Sequence, residues 1–347
     1  MPIIYTKNWN KTLYDDIIDV RSPKEFKEDN IPYSINLPVL SNKEREIIGT
    51  IYKKESPFKA RKIGASLISK NISKILRTKI YEKQGSWKPL IYCWRGGQRS
   101  KALATVLSEI GWKIRILNGG YKTYRSNIIK KIDVLVKKYK YIVVSGQTGC
   151  GKSVLLKRLG NLKLNIIDLE NIASHKGSLL GKLNNRPQPT QKMFESNLYK
   201  ELAKLDVKKK VFIENESSKI GNIHLPKSIL HKIISSEKIN IVTPLNSRIN
   251  FLIKDYKSFI NKKNSFEELF EYAEVKKGKS IVQKWRNLHA KGKWRELAGQ
   301  LIEKYYDPLY NHNRSKKNNA ILKNYYISQL TTKELKKLSL LIKQDFE

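Results

Sequence analysis

The sequence predicts an α/β protein with two parallel sheets followed by a helical region, and three patterns lead to that prediction. Residues 141–159 read as a buried strand, a glycine-rich loop and the start of a helix. Residues 89–113 repeat this order of strand, loop and helix. From residue 241 onward the apolar spacing becomes helical, with charges of both signs. We therefore expect three domains, comprising residues 1–135, 136–240 and 241–347.

The loop in residues 141–159 fits the phosphate-binding pattern G-x-x-x-x-G-K-[ST]. Its glycines let the backbone curl until successive N–H groups point at phosphate oxygens, while Lys152 can reach the outer phosphates and Ser153 can bind Mg²⁺. The expected phosphate contacts are Gly146, Gln147, Thr148, Gly149, Cys150, Gly151, Lys152 and Ser153. A chance glycine-rich turn would not need the strand before it and the helix after it. The pattern leaves open what the phosphate is attached to.

The composition favours a polyanionic partner. The chain of 347 residues has 69 Lys and Arg against 31 Asp and Glu, which gives a net charge of +38 and suits nucleic acid. An AT-rich coding bias would also enrich Lys, Asn and Ile, so both explanations of the charge stay open. The two cysteines lie in separate motifs, which argues against a disulfide framework or a zinc site. Without an apolar signal core or a run of about 18 apolar residues, a cytoplasmic protein that does not enter the membrane is expected.

The other glycine-containing loop carries Cys93, in the sequence PLIYCWRGGQRS. An apolar strand delivers this cysteine to its carboxyl end, two glycines free the loop, and Ser100 begins the next helix. Loop N–H groups, the positive end of that helix, Arg95 and Arg99 should together favour a thiolate near neutral pH. Cys93 is therefore the expected nucleophile. A buried structural cysteine is the alternative.

Acidic residues follow two further predicted strands. Asp168 and Glu170 end one of them and are candidates for a metal ligand or a base, whereas a helix cap is the alternative for this segment. Glu214 and Glu216 end the other, where phosphate-binding proteins commonly have an acid beside Mg²⁺, and a structural salt bridge is the alternative. His175 is a candidate substrate contact, or else a surface or capping histidine.

Two charged patterns lie outside these loops. Asp19, Arg21 and Glu25 crowd the end of an N-terminal strand, where a salt-bridged turn is expected. In the helical region a Trp-Arg pair occurs twice, on either side of a predicted helix break at Gly292. Such pairs could stack on unpaired RNA bases and hold phosphates, or the tryptophans could pack in a helical core under a solvated basic face. The residues concerned are Trp285, Arg286, Trp294 and Arg295.

A series of motifs runs through the first two expected domains. In chain order they are DVRSPKEF (19–26), INLPVLSNKEREIIGTIYK (35–53), YCWRGGQRS (92–100), LNGGYKTYR (117–125), the phosphate loop, DLENIASHKGSLLG (168–181), RPQPTQKMFE (186–195) and VFIENESSKIG (211–221). Together they resemble the bacterial tRNA 2-selenouridine synthases, over more than half of the chain. The resemblance implies a rhodanese-like parallel sheet domain, a P-loop NTPase-like parallel sheet domain and a helical C-terminal region.

This resemblance implies a transferase that replaces the sulfur of wobble 2-thiouridine in tRNA by selenium. The selenium comes from selenophosphate, which another enzyme supplies, and Cys93 is the implied selenium carrier. A geranylated 2-thiouridine intermediate made from geranyl diphosphate is also implied, so the phosphate loop would bind either a prenyl diphosphate or a nucleotide, with Mg²⁺ as an option. Gln98 departs from the family motif, where methionine is more frequent, but it lies within the loop and not at the nucleophile.

The C-x5-R spacing from Cys93 to Arg99 resembles the phosphatase members of the rhodanese superfamily, whose roomier loop suits a tetrahedral phosphorus group. Two other functions therefore stay open. One is a Cys-dependent phosphatase fused to an ATP-dependent kinase-like domain. The other is a non-catalytic RNA-binding module that uses a nucleotide as a switch.

Overall fold

The protein forms two compact units. The structure, a computed structural model, describes residues 2–178, 180–182, 186–260, 266–315 and 320–347. The first unit comprises Met1–Lys131 and Glu195–Lys200, and the second comprises Ile132–Phe194 and Glu201–Glu347. The predicted boundary near residue 135 lies close to this division, but the residues after 240 belong to the same unit as the phosphate loop.

The first unit is built on a parallel five-stranded sheet of order β1-β5-β4-β2-β3. Its strands are β1 (Ile4–Thr6), β2 (Ile17–Asp19), β3 (Ser34–Asn36), β4 (Leu90–Tyr92) and β5 (Arg115–Leu117). Its helices are α1 (Pro23–Glu28), α2 (Asn42–Lys54), α3 (Pro57–Ile75), α4 (Gln98–Ile110) and α5 (Gly120–Lys138), the last of which ends in the second unit. Every residue of β2 and β4 is buried, as expected for inner strands of a parallel sheet covered on both faces.

Capping signals in the sequence explain where two of these helices begin. The Ser41 hydroxyl accepts the N–H of Glu44 at 3.2 Å, and the Glu44 carboxylate accepts the N–H of Ser41 at 2.7 Å. α2 therefore starts with a capping box, which the Ser-x-x-Glu spacing of residues 41–44 predicts. Pro57 occupies the first turn of α3, where its missing N–H costs nothing. α3 continues into a π-helical turn, Leu76–Ile80.

The second unit contains a parallel sheet of order β12-β11-β6-β8-β7 and a two-stranded antiparallel hairpin, β9-β10. The strands are β6 (Tyr141–Gly146), β7 (Asn165–Ile167), β8 (Val211–Glu214), β9 (Lys219–Ile220), β10 (Ile223–His224), β11 (Lys238–Val242) and β12 (Ile321–Tyr326). The helices are α6 (Lys152–Asn161), α7 (Leu169–Ala173), α8 (Gln191–Leu202), α9 (Lys227–Ser235), α10 (Leu245–Asp255), α11 (Lys257–Ile260), α12 (Glu267–Lys277), α13 (Lys279–Ala290), α14 (Trp294–Leu301), α15 (Asp307–Ser315) and α16 (Thr332–Phe346). A π-helical turn, Ile302–Tyr306, joins α14 to α15.

The last strand of this sheet was not predicted. β12 pairs in parallel with β11, with Tyr325 opposite Ile241, although we expected only helices after residue 241. It is an edge strand, and only one of its six residues is buried, so it lacks the apolar alternation that marks a strand in sequence. The sequence of residues 311–319 is basic, and we expected a loop there; residues 311–315 instead end α15, and residues 316–319 lie outside the described residues. No described helix is long and apolar enough to cross a membrane.

The C-terminal helices enclose an aromatic core of their own. Trp285 is 0% exposed, and its indole N–H donates to Oε1 of Gln300 at 3.0 Å. Trp285 therefore packs in a helical core and is not an RNA contact, because neither face of its ring is free to stack on a base. Gly292, with φ at +65°, separates α13 from α14 as predicted.

The other members of the two Trp-Arg pairs have protein partners in the structure. Arg286 forms an ion pair with Glu267, and Arg295 donates a hydrogen bond to Asn250. Trp294 is half-buried and packs against the same aromatic core as Trp285. RNA contacts by Arg286, Trp294 and Arg295 stay predictions, since an exposed ion pair of this kind contributes little and can exchange partners.

Candidate functional site

Hydrogen-bond donors surround the sulfur of Cys93. The residue directly follows β4, the middle strand of its sheet, and α4 begins only five residues later. Its Sγ accepts the N–H of Gly97 at 3.2 Å and lies 3.3 Å from Oγ of Ser100. Gly97 immediately precedes α4, so the sulfur contacts the amino end of that helix. The side chain is 4% exposed, so an incoming group must reach the sulfur from one side.

The first turn of α5 supports this loop, and we did not single it out from the sequence. Gly120 has φ at +59°, and a Cβ atom at this position would lie 2.3 Å from the carbonyl oxygen of Cys93. The next N–H, that of Tyr121, donates to the same carbonyl at 2.8 Å. Only glycine permits this approach between two backbones. The signal in the sequence is the double glycine of the motif LNGGYKTYR.

The two arginines of the loop differ in their surroundings. Arg99 donates to both carboxylate oxygens of Glu25, at 2.7 and 3.3 Å. Burial alone would raise the pKa of Glu25, but the hydrogen bonds and charge of Arg99 outweigh it and hold that pKa below its usual value. The charge of Arg99 is therefore largely offset by a carboxylate. Arg95 is exposed and forms no ion pair with any residue that the structure describes.

A buried ion pair lies behind the loop. Arg21 and Asp19 form the salt bridge that we expected at this strand end, whereas Glu25, the third member of that cluster, pairs instead with an arginine of the loop. The Arg21 guanidinium lies 4.0 Å from the ring centroid of Tyr121, which packs at 5.2 Å against Trp94. Trp94 is 38% exposed and adjoins Cys93 in sequence. The ion pair thus holds the ring of Tyr121 in place, and Tyr121 in turn supports Trp94, the exposed ring next to the nucleophile.

The phosphate loop follows β6, the middle strand of the second sheet. Gly149 and Gly151 have φ at +81° and +78°, values that L side chains rarely adopt, and α6 begins at Lys152. The ammonium group of Lys152 donates to the carbonyl of Gly146 at 2.7 Å. This is the strand, loop and helix that the sequence pattern predicts for phosphate binding.

Residues far along the chain brace the phosphate loop, and no sequence pattern indicated them. Arg248 is almost fully buried; it donates to Oε1 of Gln147 at 2.6 Å and binds both carboxylate oxygens of Asp307. The Tyr310 hydroxyl accepts the N–H of Gly146 at 3.1 Å. Because these three residues come from the helical region, that region helps to form the phosphate site.

Carboxylates gather beside this loop. The Ser153 hydroxyl donates to Glu170 at 2.5 Å, and the N–H of Glu170 donates to Glu214 at 2.6 Å. The second carboxylate oxygen of Glu214 is buried without a partner among the described residues. Burial, with the charge of Glu170 next, raises the pKa of Glu216 from 4.5 to about 7. A cation placed here would relieve both the burial cost and the mutual repulsion.

Asp168 and His175, the two remaining candidate site residues of the second unit, are both buried. Asp168 accepts the N–H of Asn171 at 2.8 Å and caps α7, which is the alternative that we gave for this segment. His175 is 4% exposed, and burial, helped by the charge of Lys182, lowers its pKa. A substrate contact by His175 stays a prediction. Within the described ranges, no three His, Cys, Asp or Glu side chains are grouped so as to hold a metal ion by themselves.

An apolar pocket opens beside Thr148 of the phosphate loop. The space between its walls is about 580 Å³ when open solvent is included, and its cavity volume is about 70 Å³. The lining residues are Thr148, Ser178, Leu180, Leu252, Ile253, Tyr256, Ile260, Phe266, Trp294, Leu297, Ala298, Leu301, Ile302 and Tyr306. A site that combines phosphate-binding amides with an apolar pocket suits an amphipathic phosphate ester.

The fold and the sites define a class of protein in which a rhodanese-like domain with a loop cysteine is joined to a P-loop domain. Residues 5–127 match the rhodanese-like domain, and residues 139–288 match the tRNA 2-selenouridine synthase AAA domain. A tRNA 2-selenouridine synthase of Shewanella denitrificans is 30% identical over 336 residues, which cover 88% of this chain and 90% of that protein. The chain belongs to the tRNA 2-selenouridine synthase family.

Two further relatives are more similar over a shorter stretch. The tRNA 2-selenouridine synthase of Sulfurovum sp. is 37% identical over 244 residues, and that of Nitrosomonas europaea is 34% identical over 251 residues. Each alignment covers 69% of this chain, but only 65% and 63% of the respective relatives. The aligned part of the chain thus spans slightly less than two thirds of these two proteins.

Replacing Gly120 by Ala should displace the Cys93 loop. The new Cβ would lie 2.3 Å from Cys93 O and 2.5 Å from Gly96 N, in a left-handed backbone conformation. We expect a loss of roughly 2–5 kcal/mol in the free energy of unfolding of the first unit. Urea denaturation followed by circular dichroism measures it. Gly85→Ala is the control, because nothing lies within 4 Å of a Cβ there. Equal stability of the two variants would contradict the close approach.

The protonation of Glu216 should make stability depend on pH. Since its pKa is raised from 4.5 to about 7 in the folded protein, its contribution is fully present below pH 4.5 and is lost as the pH rises through about 7. Glu216→Gln should flatten this part of the curve of unfolding free energy against pH, measured by urea denaturation. Glu271→Gln, at an exposed position of α12, should leave the curve unchanged. If Glu216→Gln follows the wild-type curve, folding does not raise the pKa of Glu216.

Proposed function

We propose that this protein is a tRNA 2-selenouridine synthase, a transferase that replaces the sulfur of wobble 2-thiouridine in tRNA by selenium. In this proposal selenophosphate supplies the selenium, and the thio group is first converted to its geranyl thioether. The observation that carries the proposal is the apolar pocket beside the phosphate loop, in a chain that also presents a loop cysteine. The family names of its relatives support the same function.

The pocket supports a prenyl diphosphate as the ligand of the phosphate loop. A nucleoside would require hydrogen-bond partners for its base and ribose, whereas twelve of the fourteen lining residues are aliphatic or aromatic. A chain of ten carbon atoms needs only such apolar walls. Thr148 lines the pocket and belongs to the phosphate loop, so a diphosphate held by the loop would have its alkyl chain directed between α10 and α14.

The phosphate loop would bind and activate the diphosphate. Lys152 and the loop N–H groups neutralise the charge that develops on the leaving diphosphate as sulfur attacks the first carbon of the prenyl chain. The carbon–oxygen bond breaks and a carbon–sulfur bond forms. Mg²⁺ fits this place, since Ser153, Glu170 and Glu216 offer oxygen ligands and diphosphate and water could supply the rest. The ion would add positive charge at the same diphosphate.

Alkylation prepares the uridine for exchange. A thiocarbonyl sulfur is a poor leaving group, but an alkylated sulfur can depart from C2 as a thiol when selenium attacks there. The Cys93 loop would handle selenophosphate, because its N–H groups and the amino end of α4 bind anions. Arg95, exposed and without an ion pair among the described residues, offers a further positive charge at the loop.

The excess of positive charge fits a tRNA substrate. A net charge of +38 would attract the phosphate backbone over a distance and make binding depend on salt. Arg286, Trp294 and Arg295 remain our candidates for RNA contacts. A cytoplasmic reaction, with a second enzyme supplying selenophosphate, follows from this substrate.

Cys93→Ser should abolish selenium incorporation and leave the geranylated thiouridine, because alkylation does not need the thiolate. Liquid chromatography and mass spectrometry of nucleosides from tRNA treated with each variant would show this. Cys150→Ala is the control: its sulfur is buried in the core beneath the phosphate loop, and most activity should remain. Normal levels of 2-selenouridine with Cys93→Ser would mean that Cys93 takes no part.

Filling the pocket should change the preferred chain length. Ala298 lines it, so Ala298→Phe should raise the KM for geranyl diphosphate by roughly ten-fold or more while affecting dimethylallyl diphosphate less. Ala290→Phe, at an exposed position of α13, should affect neither donor. Steady-state alkylation of a 2-thiouridine-containing RNA measures both. If Ala298→Phe weakens the two donors equally, the alkyl chain lies elsewhere.

A further inference from the structure

The length of the Cys93 loop suits a tetrahedral phosphorus group better than a single chalcogen atom. Five residues separate Cys93 from Arg99, and Ser100 follows at once. The sulfur meets the N–H of Gly97 at 3.2 Å and the Ser100 hydroxyl at 3.3 Å. Ser100 is 0% exposed, and its hydroxyl donates to the carbonyl oxygen of Gly97 at 3.0 Å. Its single proton must therefore turn from that carbonyl to the sulfur, which rotation about the C–O bond allows. A thiolate below the amino end of a helix, with a hydroxyl beside it, suits attack on an anionic tetrahedral centre.

Electron balance decides between the two atoms of selenophosphate that Cys93 could attack. Attack on selenium would form an S–Se bond and break the Se–P bond, with the electron pair leaving on phosphorus as phosphite. Sulfur and selenium would both be oxidised, so a reductant would be needed later to release selenide from the S–Se bond. The chain contains only two cysteines, and the other, Cys150, belongs to the second unit and is 1% exposed. No second thiol of the first unit can supply those electrons.

Attack on phosphorus needs no reductant. The S–P bond forms, the Se–P bond breaks, and the electron pair leaves with selenium as hydrogen selenide, so no atom changes its oxidation state. Water then attacks phosphorus, the S–P bond breaks, and phosphate and the Cys93 thiolate are released. The hydrogen selenide attacks C2 of the alkylated uridine, a C–Se bond forms, and the C–S bond breaks with loss of the alkyl thiol.

We propose that Cys93 is the phosphoryl acceptor for selenophosphate, and that Ser100 donates a hydrogen bond to its sulfur when the thiolate leaves phosphorus. This proposal rests on the proposed function, because it specifies the atom at which the same cysteine reacts. Ser100 is a positioning residue: it acts through the sulfur. It speeds the breakdown of phosphocysteine, so its loss makes that intermediate accumulate.

The test compares wild type, Ser100→Ala, Ser100→Thr and Ser108→Ala, each given selenophosphate labelled with radioactive phosphorus or radioactive selenium. Ser108 is the matched control, since it lies on the same helix and donates the same bond to the carbonyl three residues earlier, at 3.0 Å. After rapid denaturation, both labels are counted on the peptide that contains Cys93. Circular dichroism checks that every variant is folded.

We expect phosphorus without selenium on Cys93, and phosphate as the phosphorus product by NMR. In Ser100→Ala the label should decay about 10²-fold more slowly, the usual effect of removing one donor to a developing negative charge. Ser100→Thr should restore the decay, and Ser108→Ala should match wild type. Selenium on Cys93 without phosphorus, or phosphite as the product, would overturn the proposal.

Nucleoside analysis of added tRNA separates this inference from the proposed function. If 2-selenouridine forms while Cys93 of Ser100→Ala never carries phosphorus, the proposed function stands and the phosphoryl transfer is wrong. If phosphorus appears on Cys93 but no 2-selenouridine forms, the phosphoryl transfer stands and the proposed function is wrong. If neither is observed, both are wrong.

Discussion

Both sites depend on one constraint. At the end of a central strand, the backbone of the following loop must let a bound group come close to it. β4 and β6 each lie in the middle of a parallel sheet, and each passes directly into a glycine-containing loop and a helix. Because the carboxyl ends of parallel strands and the amino ends of the following helices meet at one sheet edge, unpaired N–H groups collect there. One loop adds a thiol to these N–H groups, and the other adds a lysine.

The two loops are held in place by different means. The Cys93 loop rests on the backbone of Gly120, and an ion pair between Arg21 and Asp19 supports the aromatic rings behind it. The phosphate loop is braced by side chains from the helical region, with Arg248 bound to Gln147 and Asp307. A site supported by buried, hydrogen-bonded groups keeps its geometry without the ligand, so less of the binding energy is lost in ordering it.

The electrostatics of the two sites are opposed. Near Cys93, Arg99 is offset by Glu25, which leaves Arg95 and the helix end as the positive elements. Beside the phosphate loop several carboxylates are buried together, and the pKa of Glu216 rises to about 7 because burial and the charge of Glu170 disfavour its ionised form. In our proposal, Lys152 and a cation would balance that charge when a diphosphate binds here. A tetrahedral anion at Cys93, as we propose, would need only the loop.

The sequence alone determined the elements whose signals are local. The glycine pattern around Lys152, the strand before Cys93, the capping box of Ser41 and the break at Gly292 depend on residues close in the chain, so period and spacing reveal them. The motifs from 19–26 to 211–221 also sufficed for the family. Tertiary structure decided what depends on distant partners: that β12 joins the sheet, that Glu25 binds Arg99, that Trp285 is buried, and that an apolar pocket adjoins Thr148. Those contacts join residues tens to hundreds of positions apart, and no local pattern encodes which of the many possible pairs will form.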